Sequence, residues 1–340
     1  MVERRPNRRQ AAGRAAGGGN YFSQPKTDVN FIASGCLTLD LALGGGWAED
    51  RIANVVGDKS SGKTLLAIEM AANFAQKYPK GKIRYREAEA AFMPAYAEAL
   101  GMPAHRVDFG EALDTVEDMF EDLQKVIAGA RHPELYIVDS LDALSDRAEM
   151  ERDMDEGTYG AAKAKNLSQL FRRTVRGMER AHVTCLIISQ VRSKIGISFG
   201  RTTTRSGGRA LDFYASQVLY LSTAALETKT VRGEKRPIGV NVRGRVDKNK
   251  IGLPFREAAF QIMFGYGVDS VGASLDWLKS IKALDDIGLS NKTKDEDLRE
   301  IKKQYLSTGV PDIPVADVEA AVRRRWYEIE ERFLPTRRKY

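Results

Sequence analysis

Residues Gly57-Asp58-Lys59-Ser60-Ser61-Gly62-Lys63-Thr64 satisfy the whole spacing G-x-x-x-x-G-K-[ST], a pattern whose chemistry is the binding of a polyphosphate. Gly57 and Gly62 let the backbone curl so that its N–H groups, with the N-terminus of the next helix, face phosphate oxygens without interference from a Cβ. Lys63 is then placed to reach the β- and γ-phosphates, and the Thr64 hydroxyl to complete the shell of a Mg²⁺ ion. The β-branched run Ile52 to Val56 precedes the motif and the almost wholly apolar stretch Leu65 to Ala75 follows it. Strand, loop and helix in that order are the context this chemistry needs. A glycine-rich turn entering a helix is the plain alternative.

Hydrolysis of a bound triphosphate needs further groups. Leu135-Tyr136-Ile137-Val138-Asp139-Ser140 is an apolar strand ending in a carboxylate, which puts Asp139 beside the loop where a Mg²⁺ ion can offset its desolvation. The attacking water must be oriented by a carboxylate or an amide near the γ-phosphate. Glu89, after the strand Lys82 to Arg86, is the candidate; Glu87 is its competitor, and surface solvation is open to either. Gln190 closes the strand Leu186 to Ser189 and could sense the γ-phosphate from a neighbouring strand end.

A second chemistry is written in the basic residues. At about 100° per residue, Leu167, Leu170, Phe171, Val175 and Met178 fall on one side of a helix over Lys163 to Arg180, and Lys165, Arg172 and Arg176 on the other. One face packs; the other is a basic stripe, suited to phosphates or simply to water. Met150 to Gly160 has no apolar period and reads as a loop before that helix. Arg192 to Arg209 combines Arg192, Lys194, Arg201, Arg205 and Arg209 with three threonines and with glycines that include Gly207 and Gly208. This suits phosphate contacts from side chains and backbone N–H groups, ordered when a nucleic acid arrives. Ile195 and Phe199 could wedge between bases, with a core role as the rival.

The elements that must hold these residues follow from the pattern. From Phe31 to about Phe264, short β-branched runs alternate with longer helical stretches, so the expected fold is α/β with a mainly parallel central sheet covered by helices. Ile52 to Val56, Leu135 to Val138 and Cys185 to Ser189 read as its central strands. Beyond Gly267 the chain turns helical and charged, with helices expected over Leu275 to Leu284, Asp295 to Tyr305 and Ala316 to Phe333. The expected division is a basic flexible tail over 1–27, a core over 28–266 and a small helical, basic C-terminal domain over 267–340. The tail carries Arg4, Arg5, Arg8, Arg9 and Arg14, and Tyr21 and Phe22 could anchor it in a neighbour's groove or within its own chain. With 340 residues, 43% hydrophobic and 29% charged, the composition is that of a globular protein. No apolar run approaches the roughly 20 residues of a membrane helix, and the Arg-rich start lacks the apolar stretch of a secretory signal. Two distant cysteines and three scattered histidines give neither a disulfide framework nor a zinc site. The expected location is the cytoplasm. A net charge of +7 is compatible with an anionic partner.

Several of these motifs occur together in one known family. The phosphate loop, Glu87-Ala88-Glu89, Val138-Asp139-Ser140 and Ser189-Gln190-Val191-Arg192 stand in the order and spacing of RecA. Lys194 to Gly200, Gly207 to Ser216 and Lys248-Asn249-Lys250-Ile251 with Pro254-Phe255 add to the likeness. The chain resembles the RecA family over about residues 31 to 265, which implies a RecA-like ATPase core. The resemblance implies that Glu89 positions the hydrolytic water and that Gln190 couples the γ-phosphate to a DNA-binding loop. It implies that Lys248 and Lys250 reach the ATP of the neighbouring subunit, that Tyr96 lies near the adenine and that Phe213 sits at the subunit interface. It also assigns DNA contact to Lys165, Arg172, Arg176, Arg192, Lys194, Ile195, Phe199, Gly207, Gly208 and Arg209, and makes Met150 to Gly160 a first DNA loop. Arg84 and Arg86 depart from an apolar strand in that family and Met93 from an aspartate near the base. Pro94-Ala95-Tyr96 and the basic C-terminal helices are more similar to the phage recombinase UvsX, which makes a phage or mobile-element origin an expectation.

The expected function is that of an ATP- and Mg²⁺-dependent recombinase. It forms helical filaments on single-stranded DNA and pairs it with homologous double-stranded DNA. A ring-forming hexameric helicase and a non-exchanging recombination mediator are the alternatives. Intact Lys63, Asp139 and Glu89 speak against the mediator.

Overall fold

The computed structural model describes residues 29–89, 92–150, 160–193, 203–205, 208–307 and 312–337. The basic tail with Tyr21 and Phe22, most of the Met150 to Gly160 loop, and Lys194, Ile195, Phe199 and Gly207 lie outside the described residues. Arg192 and Arg209 lie on described backbone, with their side chains outside the description.

The chain opens with β1 (Phe31–Ile32), α1 (Leu37–Leu43) and β2 (Trp47–Ala48), a small antiparallel pair around a short helix. There follow β3 (Ile52–Gly57), α2 (Lys63–Lys77), β4 (Lys82–Glu87), α3 (Pro94–Ala99), β5 (Val107–Asp108), α4 (Val116–Gly129) and β6 (Glu134–Asp139). Next come α5 (Arg147–Met150), α6 (Gly160–Ala181), β7 (Val183–Ser193), β8 (Thr203–Arg205) and α7 (Gly208–Tyr214). The remainder is β9 (Gln217–Val231), β10 (Glu234–Asn249), β11 (Glu257–Met263), β12 (Gly267–Asp269), α8 (Ser270–Ser280), α9 (Asp295–Ser307) and α10 (Val315–Phe333).

Among the described residues the central sheet runs β12-β11-β10-β9-β3-β7-β6-β4-β5, with β8 paired to β7. From β9 to β5 every pairing is parallel, and β10 to β12 continue antiparallel. The α/β class with a mainly parallel sheet is therefore as expected. The period of two along each strand splits the core into two layers. Ala53, Val55, Leu135, Ile137, Leu186, Ile188, Leu219 and Leu221 face α1, α2 and the C-terminal helices. Ile52, Val56, Tyr136, Val138, Cys185, Ile187 and Val218 face α4, α6 and α7.

The C-terminal helices differ in detail from the sequence expectation. α8 begins five residues early because Asp269, at the end of β12, accepts the Gly272 N–H at 2.8 Å and caps it. A short 3₁₀ turn over Leu284–Ile287 separates α8 from α9. Leu275, Leu278, Val318, Val322 and Trp326 share the core layer of β11. Among the described residues no helix is long and apolar enough to cross a membrane.

Candidate functional site

The parallel register brings the chemistry together. Gly57 pairs with Gln190, Val138 with Ile187 and Glu87 with Asp139, so the C-terminal ends of β3, β7, β6 and β4 form one edge. Ligands of open α/β sheets bind outside that edge.

Around the phosphate loop, Asp58, Lys59, Ser60 and Thr64 are exposed while Ser61 and Lys63 are buried. Gly62 has φ +91°, and a Cβ there would stand 2.3 Å from the Ile262 side chain. A Cβ on Gly57 would meet Ser61 Oγ at 2.4 Å. Neither position tolerates a side chain, so the loop keeps bare backbone toward the edge. The Lys63 amine donates to the Asp58 carbonyl at 2.7 Å, folding back over the loop that would hold a phosphate. Burial pulls its pKa down, opposed by the charges of Asp139 and Glu89. Ser61 Oγ is buried without a hydrogen-bond partner among the described residues. A confined ammonium, a bare-backbone curl and an unsatisfied hydroxyl fit a nucleoside triphosphate.

Thr64 Oγ1 donates to Asp139 Oδ2 at 2.8 Å, and the Tyr85 hydroxyl donates to the same oxygen at 2.8 Å. Asp139 is only 8% exposed. Burial raises its pKa, while the bonds from Thr64 and Tyr85 favour the carboxylate and the charges of Glu89 and Glu87 disfavour it. This pair of oxygen ligands beside a phosphate loop fits a hard divalent ion with retained waters.

Glu89 Oε1 accepts from Ser140 Oγ at 2.6 Å and from Gln190 Nε2 at 2.9 Å. The competitor Glu87 takes the Glu89 N–H on its own carboxylate at 2.9 Å. Gln190 is held in turn by its N–H, which donates to Asp142 Oδ2 at 2.6 Å. Tyr85, Ser140 and Asp142 were not singled out from the sequence. Ser140 stood beside Asp139 in the quoted strand end, but a lone serine carries no spacing that signals such a contact.

The remaining candidates fall elsewhere. Tyr96 is 44% exposed on α3, which begins two residues after Phe92, whose ring packs with those of Tyr85 and Phe109. Lys165, Arg172 and Arg176 are exposed on α6, opposite buried Leu167, Leu170, Phe171 and Met178. Lys248 donates to the carbonyls of Asp212 and Phe213, and Lys250 to that of Phe213 at 3.0 Å with its amine 5.8 Å from the Phe213 ring centre. Phe213 itself is 69% exposed. Gly208 opens α7, the helix that carries Phe213 near its other end. Because Asn249 pairs with Gln217 and Gln217 with Ala53, the two lysines lie at the opposite end of β3 from Gly57, about 13 Å along the strand.

Arg84 and Arg86 form an ionic seam. Arg84 pairs with Asp108 and buried Glu134; Arg86 pairs with Asp122 at 2.6 Å and donates to the Asp108 carbonyl at 2.8 Å.

Residues 18–269 match the RecA N-terminal domain family. Protein RecA of Caulobacter vibrioides is 34% identical over 318 residues, covering 91% of this chain and 85% of that protein. Protein RecA of Prochlorococcus marinus is 36% identical over 248 residues, covering 73% of this chain and 65% of the relative. That of Trichodesmium erythraeum is 36% identical over 248 residues, covering 73% and 66%. A family match over most of the chain, with the strand-end geometry beneath it, makes the protein a member of the RecA family, a RecA-like recombinase and ATPase.

Proposed function

We propose that the strand-end site hydrolyses ATP in a filament on single-stranded DNA, and that hydrolysis is coupled to DNA through Gln190. In this reading the backbone of Gly57 to Thr64 cradles the phosphates and Lys63 leaves the Asp58 carbonyl to reach them. Thr64 and Asp139 would hold a Mg²⁺ ion, which when bound would supply charge neutralisation at the phosphate oxygens. Glu89 orients the attacking water and accepts its proton at Oε1 or Oε2. Tyr96 packs near the base. Lys248 and Lys250, remote from their own phosphate loop, complete the site of the next subunit, with Phe213 at the contact. Heterologous contacts of this kind propagate into a helix. Lys165, Arg172 and Arg176, with Arg192, Lys194, Ile195, Phe199, Gly207, Gly208 and Arg209, take the DNA, first single-stranded and then the homologous duplex.

The observation that carries the proposal is the bond from Gln190 to Glu89. Gln190 belongs to β7, which runs directly into the basic segment after Ser193, so one hydrogen bond joins the water-orienting carboxylate to that segment. The division at 266/267 and a cytoplasmic location belong to the same reading, the former supported by a family match that ends at residue 269. The C-terminal likeness to UvsX is part of it too, although the Caulobacter match, covering 91% of the chain, necessarily extends into those helices.

Negative-stain microscopy with single-stranded DNA and a slowly hydrolysed ATP analogue tests the proposal. Long helical filaments that need nucleotide are expected. Discrete rings would favour the helicase, and bare DNA the mediator.

A further inference from the structure

Lys163 sits in the first turn of α6, where the helix offers no acidic residue and its dipole disfavours a cation. Its side chain is half-buried and turns away from solvent. The amine donates to the Leu141 carbonyl at 3.0 Å and to the Leu144 carbonyl. Those carbonyls belong to the tight turn that follows β6, pinned by the Leu141 N–H on the Ile188 carbonyl at 3.0 Å and the Ala143 N–H on the Ser140 carbonyl at 3.2 Å.

The same turn holds both partners of the strand-end pair. Ser140, on one side of Leu141, donates to Glu89; Asp142, on the other, accepts the Gln190 N–H. The carbonyl that Lys163 grips lies in the peptide joining Leu141 to Asp142. A shift of α6 along its axis therefore pulls on a peptide flanked by the residues that fix Glu89 and Gln190. The exposed basic face of α6 begins two residues later, at Lys165.

We infer that Lys163 is a positioning residue that transmits engagement of the basic face of α6 to Glu89 and Gln190, by a route separate from the segment after β7. The inference rests on the proposed DNA-stimulated ATPase. The bonds of Lys163 to the Leu141 and Leu144 carbonyls lie outside both the phosphate loop and the exposed stripe. Asn166, which ties α6 to α4 through Glu117 at 2.6 Å, gives a control contact outside this route.

The experiment measures ATP hydrolysis by the full chain with and without a single-stranded oligonucleotide, together with oligonucleotide affinity by fluorescence anisotropy. Lys163→Met is expected to lower the DNA-stimulated kcat about tenfold or more, the scale of a slightly misplaced catalytic group. DNA-free turnover, KM for ATP and oligonucleotide affinity should stay within about twofold of the parent, near the spread expected of a remote contact. Lys163→Arg should restore most of the stimulation and Asn166→Ala should leave it intact. Full stimulation in Lys163→Met, or a parallel loss of DNA affinity, overturns the inference. If Lys163→Met does not fold, Lys163→Gln decides: partial stimulation supports the link and full stimulation overturns it. A parent protein that DNA does not stimulate overturns the proposed function and this inference together; a stimulated parent with a stimulated Lys163→Met overturns this one alone.

Discussion

Two carboxylates at the strand ends differ in what surrounds them, in keeping with the different tasks proposed for them. Glu89 is exposed and takes two donors on a single oxygen, so its second oxygen is left to a water. Glu89→Gln keeps the shape and loses the base, and should lower DNA-stimulated kcat by roughly 100-fold or more with little change in KM, read from steady-state ATPase rates. Asp139 is buried, which raises its pKa, while the bonds from Thr64 and Tyr85 favour its carboxylate. Tyr85→Phe removes a donor that favours the carboxylate, so the Asp139 pKa should rise further. The acid limb of the pH–rate profile should then move to higher pH while the plateau at alkaline pH is retained. An unmoved limb would show that Asp139 does not control it. Glu89 and Gln190 were legible singly, each at a strand end. Their contact was not, because 101 residues separate them and only the order β3-β7-β6-β4 makes them neighbours.

Elements that announce themselves by local pattern were read correctly, and those defined by distant partners were not. The phosphate loop came with its strand and helix because β3, the glycines and α2 are contiguous. The basic face of α6 followed from the 3.6-residue period. The long antiparallel hairpin of β9 and β10 was missed, since Ser222 to Val231 projects largely exposed and offers no buried alternation to read. Arg84 and Arg86 were visible as departures from an apolar strand, but not their role in fastening β4 to β5 and α4. Arg86 is 4% exposed, and Asp122 holds both its guanidinium and the Tyr136 hydroxyl. Asp122→Ala should therefore cost about 3 kcal/mol in urea denaturation, because it leaves a buried cation with only the Asp108 carbonyl and its more distant carboxylate. Removing the whole cluster, in Arg86→Met with Asp122→Leu and Tyr136→Phe, should recover most of that loss. Additive losses across the three changes would mean that the seam works as packing and not as paired charge.

At the scale of the whole molecule, the site and the lysines that would complete it lie at opposite ends of β3. If Lys248 and Lys250 serve the neighbouring phosphate loop as proposed, a subunit is active only beside a neighbour. This separation makes the assembly testable without seeing it. Lys63→Ala disables a subunit's own loop but keeps its lysines; Lys248→Ala with Lys250→Ala does the reverse. Each variant alone should be nearly inactive in DNA-stimulated ATPase. In an equimolar mixture half the loops are intact, and half of those meet a neighbour with intact lysines, so about a quarter of parental activity should return if the contact is heterologous and subunits mix at random. Mixing before DNA is added should give this recovery, and mixing after stable assembly should give less. If the lysines act within their own chain, the mixture stays as inactive as its parts, whatever the order of addition. The exposed Phe213, at the end of α7 with its carbonyl accepting from both lysines, offers the matching control. Phe213→Ala in either partner should weaken the recovery without touching nucleotide binding at the loop.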